Sequence, residues 1–550
     1  MQGKIVPVLV VGGGPVGLAL AGDLGWRGIS CVLIEQSDGS IYQPRMDLVG
    51  VRTMEFCRRW GLVPAVEASP YPRDYAQDNI YLTSLTGHEL GRERFPGIGQ
   101  APPPKESPQR RERCPQNMFD PILRAFAASQ PGVALRYRTR LISFTQDADL
   151  VKAVVENAET GEREEILAQY IVGCDGARST VRETLGVTMH GNPVLTYTTN
   201  VIFRCPHLLS LHDKGKAYRH IFIGPEGTWA TIVAINGRDE WRFSIIGGSQ
   251  QREYTTEEIA AAIRRAVGRD FDFEILSVLP WVRRELVAER YRNGRGFIAG
   301  DAAHVMSPTG GFGMNTGIGD VVDLSWKLVA VLEGWGGDGL LDSYSIERQP
   351  IGARNVAEAS GNLRRMLSVG KHPDLLDASP QGAAAREKVG REFSATMRRE
   401  WFTLGAHLGY RYETSPICRP DGSPAPPDSP NTYVPTARPG HRAPHAWLSD
   451  GRSTLDLFGR GFVLLGFGAG TDETAPLLTA ARQSGAPMTF AALAEPQIAA
   501  LYERKFVLVR PDGHVAWRDD RMPEDALRLI DTVRGANIPC KMEPVRSMAQ

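Results

Sequence analysis

Residues 5–17 read IVPVLVVGGGPVG, and this stretch indicates the class of fold at the start of the chain. Residues 5–11 are almost wholly apolar, which is typical of a strand buried on both faces of a parallel sheet. After the glycine turn the sequence predicts a helix over residues 16–26, and then a second apolar strand over residues 31–35. This β-α-β order predicts the beginning of a Rossmann-like α/β domain.

The glycine turn matches the dinucleotide-binding pattern GxGxxG at Gly12, Gly14 and Gly17. Gly14 lets the backbone approach a diphosphate at the N-terminus of the helix, where free N–H groups and the helix dipole favour anions. Glu35, at the end of the second strand, suits the ribose hydroxyls of an adenosine and disfavours a 2′-phosphate, so this site favours FAD or NAD over NADP. The predicted contacts are Gly12, Gly14, Pro15, Val16, Gly17, Glu35 and Gln36.

Composition excludes several classes of function. The 550 residues contain 63 Lys plus Arg and 63 Asp plus Glu, so a general nucleic-acid binder is not expected. No apolar run is long enough to span a membrane. The seven cysteines are scattered and never spaced as CxxC, which argues against a disulfide framework, a zinc site or a dithiol centre and favours a reducing cytoplasm.

Later segments predict two further units. Residues 195–250 contain stretches of alternating apolar and polar residues, and the turns GPEG and NGRD separate these stretches. This pattern predicts an antiparallel sheet inserted into the first domain. Residues 415–445 are rich in Pro, Gly and Ser and are typical of a linker. The predicted plan is an FAD-binding domain (1–75, 112–185 and 290–370), a substrate domain (76–111 and 186–289), a helical segment with linker (371–445) and a C-terminal α/β domain (446–550).

Two more motifs support FAD: GCDGARSTVR at 173–182 and GFIAGDAAHVMSPTGGFGMNTGIGD at 296–320. With the glycine turn they resemble the class A, single-component FAD-dependent aromatic hydroxylases, such as phenol hydroxylase and para-hydroxybenzoate hydroxylase, over roughly residues 1–370. The resemblance implies FAD as cofactor and NADPH or NADH as a transient co-substrate without its own Rossmann domain. It also implies a small aromatic substrate and O₂. The oligomeric state stays open at this point, with a homodimer as one alternative, and the cytoplasmic location expected from the cysteines is compatible with the family.

The C-terminal strings PHAWLSDGRSTLDLFGRGFVLL and LVRPDGHVAW resemble the thioredoxin-like domain appended to phenol hydroxylase and polyketide hydroxylases. The only cysteine of this unit is Cys540, so dithiol chemistry is excluded. A structural or dimer-supporting role is therefore expected for the domain.

The resemblance also implies the residues that hold the flavin. Asp301 is expected to accept from a ribityl hydroxyl, and glycines 310–313 let the backbone approach a flat ring. The helix that opens at 313–315 is expected to direct its N-terminus at the flavin pyrimidine. Asp175 is expected at the flavin or as a helix cap, two compatible roles. The implied set is Arg45, Gln116, Asp175, Asp301, Pro308, Gly311, Gly313, Met314 and Asn315.

The expected chemistry is transfer of one oxygen atom from a flavin C4a-hydroperoxide to a phenolic ring. Asp47 is the candidate base for the substrate hydroxyl, because phenol hydroxylase has an aspartate at the same distance before an Arg-Thr pair; the alternative is an aspartate that caps the following helix. Tyr218 and His220 are candidate catalytic residues, expected with Phe222 on one pocket wall, or else they only pack in the sheet.

Three substrate hypotheses stay open at this point. VRTMEFCRRWGL and RCPQNMFDPIL are similar to hydroxylases of substituted phenols and catechols, including nitrocatechols that lose the nitro group. A polycyclic aromatic polyketide is the first alternative. A non-catalytic flavin-binding redox sensor is the alternative of another class.

Overall fold

A computed structural model describes residues 5–337 and 339–538. The strands are β1 (Val6–Val11), β2 (Cys31–Ile34), β3 (Leu48–Val49), β4 (Asn79–Leu82), β5 (Glu89–Glu93), β6 (Glu112–Arg113), β7 (Val133–Arg136), β8 (Thr139–Gln146), β9 (Val151–Asn157), β10 (Arg163–Gly173), β11 (Met189–Arg204), β12 (Arg219–Gly224), β13 (Gly227–Ala234), β14 (Glu240–Ile246), β15 (Glu274–Ala288), β16 (Arg292–Asn293), β17 (Gly296–Ile298), β18 (His304–Val305), β19 (Phe462–Phe467), β20 (Met488–Leu493), β21 (Phe506–Val509) and β22 (Val515–Asp519). The α-helices are α1 (Pro15–Trp26), α2 (Val51–Arg59), α3 (Val63–Glu67), α4 (Gln116–Ala128), α5 (Thr180–Thr184), α6 (Thr256–Val267), α7 (Gly313–Leu332), α8 (Asp342–Leu367), α9 (Pro380–Trp401), α10 (Leu404–Leu408), α11 (Thr471–Gln483), α12 (Pro496–Tyr502) and α13 (Ala526–Val533).

The first sheet carries the glycine turn. Its strand order is β16-β17-β10-β1-β2-β7, and the hairpin β8–β9 joins it through β10. β1 pairs in parallel with β2 and β10, so the carboxyl ends of these strands meet at one edge of the sheet. Helices α1, α4 and α7 pack together at this sheet. The predicted Rossmann-like FAD-binding fold is confirmed.

The second sheet covers the loops at that edge. Its order is β18-β15-β11-β14-β13-β12-β4-β5, and its pairs are antiparallel apart from β12 beside β4. One face packs on α6 through buried side chains that include Phe203, Trp241 and Phe243. Because side chains alternate between faces, the neighbours of these residues point the other way, toward the first sheet. The predicted antiparallel insertion is confirmed.

The C-terminal unit is a four-stranded sheet of order β20-β19-β21-β22 with helices α11 and α13. Apolar side chains cover both of its faces, which accounts for the near-continuous apolar runs of β19 and β21. The predicted C-terminal α/β domain is confirmed. Cys540, on which the argument against dithiol chemistry depended, lies outside the described residues.

A buried charge network fixes this unit to the FAD-binding domain. The Arg510 guanidinium donates to Glu347 at 2.6 Å and to Asp323 at 2.9 Å, and the Lys327 ammonium binds the same two carboxylates. All four side chains are almost fully buried. Burial raises the pKa of Glu347, but Arg510 and Lys327 outweigh it and lower that pKa to about 2.

The described residues offer no metal site: no cluster of three or more His, Cys, Asp or Glu side chains is found among them. The six cysteines within that part of the chain are all free thiols. None of the helices that the structure describes is both long and apolar enough to cross a membrane. The domain limits stay a prediction, and β18 of the second sheet lies beyond residue 289.

Candidate active site

A cavity of about 370 Å³ separates the glycine loops of the first sheet from the exposed face of the second. Strands of the second sheet form its roof, and the loops after β1 and β17 form its floor. The predicted FAD contacts that line it are Gly14, Pro15, Val16, Arg45, Gln116, Asp301, Pro308, Gly311, Gly313 and Met314. Of the predicted catalytic residues, Asp47 and Tyr218 line it.

The glycine turn has the geometry that a dinucleotide requires. Gly12 has φ +108°, and a Cβ there would collide with the Cys174 carbonyl. A Cβ at Gly17 would collide with the Gly12 carbonyl, so this glycine brings helix and turn together. In contrast, a Cβ at Gly14 would meet no atom within 4 Å. Protein packing therefore does not explain Gly14, whereas the close approach of a diphosphate does.

Glu35 lies at the carboxyl end of β2, beside the turn. Its Oε2 accepts from the Gly13 N–H at 2.7 Å, and its Oε1 accepts from the Ser37 N–H at 2.8 Å. The carboxylate is thus oriented next to the turn, as a ribose-binding acid must be. Gln36 is exposed at the end of the strand. The residues of this turn fit the adenosine diphosphate part of FAD.

The flavin loops complete the floor. The Asp301 side chain lines the cavity and is exposed there, and partial desolvation by the surrounding protein raises the pKa of its carboxyl. Gly310 and Gly311 have φ +87° and +67°, which favours glycine at both positions. Because glycine has no side chain, the space in front of α7 stays open. α7 begins at Gly313, so its free N–H groups face the cavity. The Arg45 guanidinium lies 5.6 Å from the Trp281 ring centroid.

Two predicted flavin contacts hold protein groups instead of lining the cavity. Asp175 accepts from the Ser179 hydroxyl at 2.5 Å and from the Val181 N–H at 3.1 Å, so it supports the N-terminus of α5, whose N-cap residue is Ser179. Asn315 accepts from the Gly50 N–H at 2.7 Å and donates to the carbonyls of residues 48 and 311, so it fastens α7 to the start of α2. Flavin contact by either side chain stays a prediction.

Asp47 is the centre of a buried polar cluster. Its Oδ1 accepts from Arg113 at 2.7 Å, and its Oδ2 accepts from the Tyr218 hydroxyl at 2.6 Å, with Arg242 at 3.5 Å. The Arg113 guanidinium also lies 3.5 Å from the Tyr218 ring centroid. Burial raises the pKa of Asp47, but Arg113 and then Arg242 outweigh burial and hold it below its usual value. Asp47 is therefore ionised at neutral pH.

The alternative that Asp47 caps the following helix is wrong. α2 begins at Val51, its N-cap residue is Gly50, and no side chain caps it. The Asp47 side chain is engaged by cations and a hydroxyl from other elements instead.

The expectation that His220 shares a pocket wall with Tyr218 is wrong. β12 begins at Arg219, so Arg219 faces the cavity while His220 and Phe222 point to the opposite face, toward α6. Tyr218 precedes the strand and does not follow its alternation. Burial lowers the pKa of His220 to about 3, and neither ring nitrogen has a hydrogen-bond partner among the described residues. A neutral, fully buried ring on the far face cannot contact a ligand in the cavity.

Sequence reasoning missed the two arginines that bind Asp47. Arg113 lies on β6 and Arg242 on β14, and both meet Asp47 only through tertiary contacts. The string EWRFSII carried a signal for Arg242, because its apolar neighbours Trp241 and Phe243 face the core and leave it facing the cavity. No pattern in the sequence indicated Arg113.

Comparisons with known proteins agree with this geometry. Residues 5–359 match the FAD binding domain family, and residues 436–535 match the family described as aromatic-ring hydroxylase, C-terminal. The chain is 34% identical over 557 residues to the tetracenomycin B2 monooxygenase-dioxygenase of Streptomyces olivaceus, covering 96% of this chain and 98% of that one. It is 32% identical over 557 residues to the 4-methyl-5-nitrocatechol 5-monooxygenase of a Burkholderia species, covering 96% and 97%.

Among solved structures, RebC soaked with chromopyrrolic acid and with bound 7-carboxy-K252c superposes with a TM-score of 0.90. The two chains are 39% identical, and the match covers 97% of this chain and all of that one.

Proposed function

The chain belongs to the FAD-dependent aromatic-ring hydroxylases, and from this we propose that it hydroxylates a phenolic ring with NAD(P)H and O₂. When bound, FAD takes a hydride from NAD(P)H and activates O₂, so that one oxygen atom enters the ring and the other leaves as water. The enzyme class is shared with the relatives, whereas the substrate and the roles of individual residues are our proposal.

The protein groups that hold FAD follow from the floor of the cavity. Glu35 binds the adenosine ribose, the backbone around Gly14 and the N-terminus of α1 take the diphosphate, and Asp301 accepts from a ribityl hydroxyl. The N-terminus of α7 stabilises negative charge at the flavin pyrimidine. Of these groups, the Glu35 carboxylate is already oriented by the N–H groups of Gly13 and Ser37.

The Asp47–Tyr218 pair is the observation that supports hydroxylation of a phenol. The Tyr218 hydroxyl donates to Asp47, so its oxygen is free to accept a hydrogen bond from a substrate hydroxyl. This chain of two hydrogen bonds polarises the substrate toward the phenolate, which makes the ring carbons better nucleophiles. Asp47 stays ionised because two guanidiniums face it, so it acts by its negative charge rather than as a strong base.

Two substrate classes remain after the comparisons, since the relatives act on polyketides such as tetracenomycin and on a nitrocatechol. The first candidate is a substituted phenol or catechol, with loss of a nitro group where one is present. The second is a polycyclic aromatic polyketide, which the width of the roof favours. The lining residues span the strands from Asn79 on β4 to Leu279 on β15. Five spacings of about 4.8 Å make this roof roughly 24 Å wide, and it covers the flavin floor as well as the space for the substrate.

The test is NAD(P)H oxidation by the FAD-loaded protein with a panel of phenols, catechols, nitrophenols and hydroxylated anthraquinones. We expect one class to accelerate oxidation and to gain one oxygen atom by product mass. Asp47→Asn should keep FAD and lose most of the coupled product. If no compound stimulates NAD(P)H oxidation by the flavin-loaded protein, the hydroxylase proposal fails, and the result favours the alternative of a non-catalytic redox sensor. If Asp47→Asn gives an unchanged product yield, the hydroxyl is handled elsewhere.

A further inference from the structure

We propose that the aromatic substrate of this enzyme carries a carboxylate, and that Arg283 on the cavity roof binds it. The inference rests on the proposed function, because it concerns the ligand of the same cavity. It adds a charge requirement that hydroxylation of a phenol does not itself impose.

The substrate half of the cavity has an excess of positive charge. Apart from Arg45 and Asp301, which belong to the flavin floor, the cavity is lined by two carboxylates, Asp47 and Glu400, and by five arginines: Arg111, Arg113, Arg219, Arg242 and Arg283. Glu400 is paired with Arg219 at 2.7 Å, and Asp47 is shared by Arg113 and Arg242. Asp47 is thus held by two arginines, whereas the Oε2 atom of Glu400 has no hydrogen-bond partner among the described residues. Neither carboxylate lies within ion-pair distance of the remaining arginines, Arg111 and Arg283. A cavity with this balance favours an anionic occupant.

Arg283 is the most deeply buried of these five arginines. Only 5% of it is exposed, and its Nε donates to the Thr198 hydroxyl at 3.1 Å. Within the described part of the chain, neither terminal nitrogen has a hydrogen-bond acceptor and no carboxylate lies within ion-pair distance. Burial, followed by the charge of Arg219, lowers the pKa of Arg283 to about 10. A buried guanidinium without an anion is costly, so its presence at the cavity points to a ligand that supplies one.

Strand geometry directs this charge into the cavity. Leu279, Trp281 and Arg283 are alternate residues of β15, and all three line the roof. An aromatic ring beneath Leu279 and Trp281 therefore places a substituent at Arg283. A guanidinium presents parallel N–H groups that match the two oxygens of a carboxylate, which is why this anion is the one proposed.

The neighbouring residue provides a matched control. Arg284 lies on the same strand and points to the opposite face, and it does not line the cavity. Arg284→Gln therefore removes the same charge from the same strand without touching the site. Arg283→Lys keeps the charge and loses the paired N–H geometry, so it tests charge separately from shape.

The experiment compares matched pairs of ligands on the FAD-loaded enzyme: 1-hydroxy-2-naphthoate with 1-naphthol, and 1-hydroxyanthraquinone-2-carboxylate with 1-hydroxyanthraquinone. Dissociation constants come from the perturbation of the flavin spectrum, and stimulation of NAD(P)H oxidation is recorded in parallel. We expect at least one carboxylate to bind about 10- to 100-fold more tightly than its neutral partner. Arg283→Gln should abolish this preference, Arg283→Lys should keep part of it, and Arg284→Gln should keep all of it.

The outcomes separate this inference from the proposed function. Equal binding of both members of each pair, together with stimulated oxidation, overturns the inference and leaves the hydroxylase proposal intact. No binding and no stimulation by any of the four compounds counts against both. A rise only in the KM for NADPH in Arg283→Gln also overturns the inference, because the guanidinium would then bind the co-substrate phosphates.

Discussion

Replacing Tyr218 by Phe removes one oxygen atom from the proposed hydrogen-bond chain and little else. The ring stays under the Arg113 guanidinium, which lies 3.5 Å from its centroid, so packing is retained. The lost hydroxyl donates to ionised Asp47 over 2.6 Å in a buried site. Hydrogen bonds to charged groups contribute about 1.5–3 kcal/mol. The substrate oxygen loses a contact of the same kind, so we expect kcat/KM for hydroxylation to fall about 10- to 150-fold.

The assay follows NAD(P)H oxidation and product formation together, so that uncoupled oxidation is seen. Tyr71→Phe is the matched control, because the Tyr71 hydroxyl is buried without a hydrogen-bond partner among the described residues and does not line the cavity. We expect Tyr71→Phe to behave as the unmodified enzyme and Tyr218→Phe to retain FAD. A Tyr218→Phe enzyme with kcat/KM and coupling within about threefold of the parent would refute the proposed role of the hydroxyl.

The same cluster predicts a simple pH profile. The pKa of Asp47 is held below its ordinary value of about 3.9. Its ion pairs therefore stabilise the fold above that ordinary value, and this contribution is lost only as the pH falls through the lowered pKa. Between pH 5 and 9 we expect no loss of kcat/KM that tracks protonation of Asp47.

Three further changes test the cofactor site, the domain junction and the corrected histidine. Glu35→Gln should raise the FAD dissociation constant about tenfold or more, measured by flavin release on ultrafiltration. An unchanged dissociation constant would show that Glu35 does not bind the ribose. Arg510→Met should lower the free energy of unfolding in urea by about 3–5 kcal/mol, because Glu347 is left buried without its main partner; a loss below about 1 kcal/mol would contradict the network. His220→Phe should leave kcat/KM and the free energy of unfolding unchanged. A large loss of activity would contradict the placement of this ring outside the cavity.

The adenosine part of the cofactor site could be predicted from the sequence because its groups are local, whereas the flavin loop at 296–320 was identified through the family resemblance. The glycine turn, the strands beside it and the acid at the end of the second strand lie within about one β-α-β unit. The helix expected from residue 314 begins at Gly313, and the helix expected from residue 16 begins at Pro15. A conformational requirement such as the positive φ of Gly12 is met best by glycine, so it can be recognised in the sequence.

The substrate half could be predicted only in part, because its contacts are between distant segments. Asp47 was identified through the resemblance to phenol hydroxylase. Its partners Arg113 and Arg242 come from other strands, and no pattern in the sequence placed their charges beside Asp47 rather than in solvent. His220 was placed on the wrong face because the prediction included Tyr218 in the strand, and a tyrosine in the cavity then implied that His220 faces the cavity too. β12 begins one residue later, at Arg219, so Tyr218 does not determine which face His220 takes. A shift of one residue reverses the face of every side chain in a strand.

The most direct test of the central claim is a turnover under ¹⁸O₂ with the panel compound that most stimulates NAD(P)H oxidation. The account predicts a product that carries one ¹⁸O atom on the aromatic ring, in an amount that matches the NAD(P)H consumed, and much less of it from Asp47→Asn. A product without ¹⁸O, or NAD(P)H oxidation that yields only hydrogen peroxide with every compound, would contradict the account.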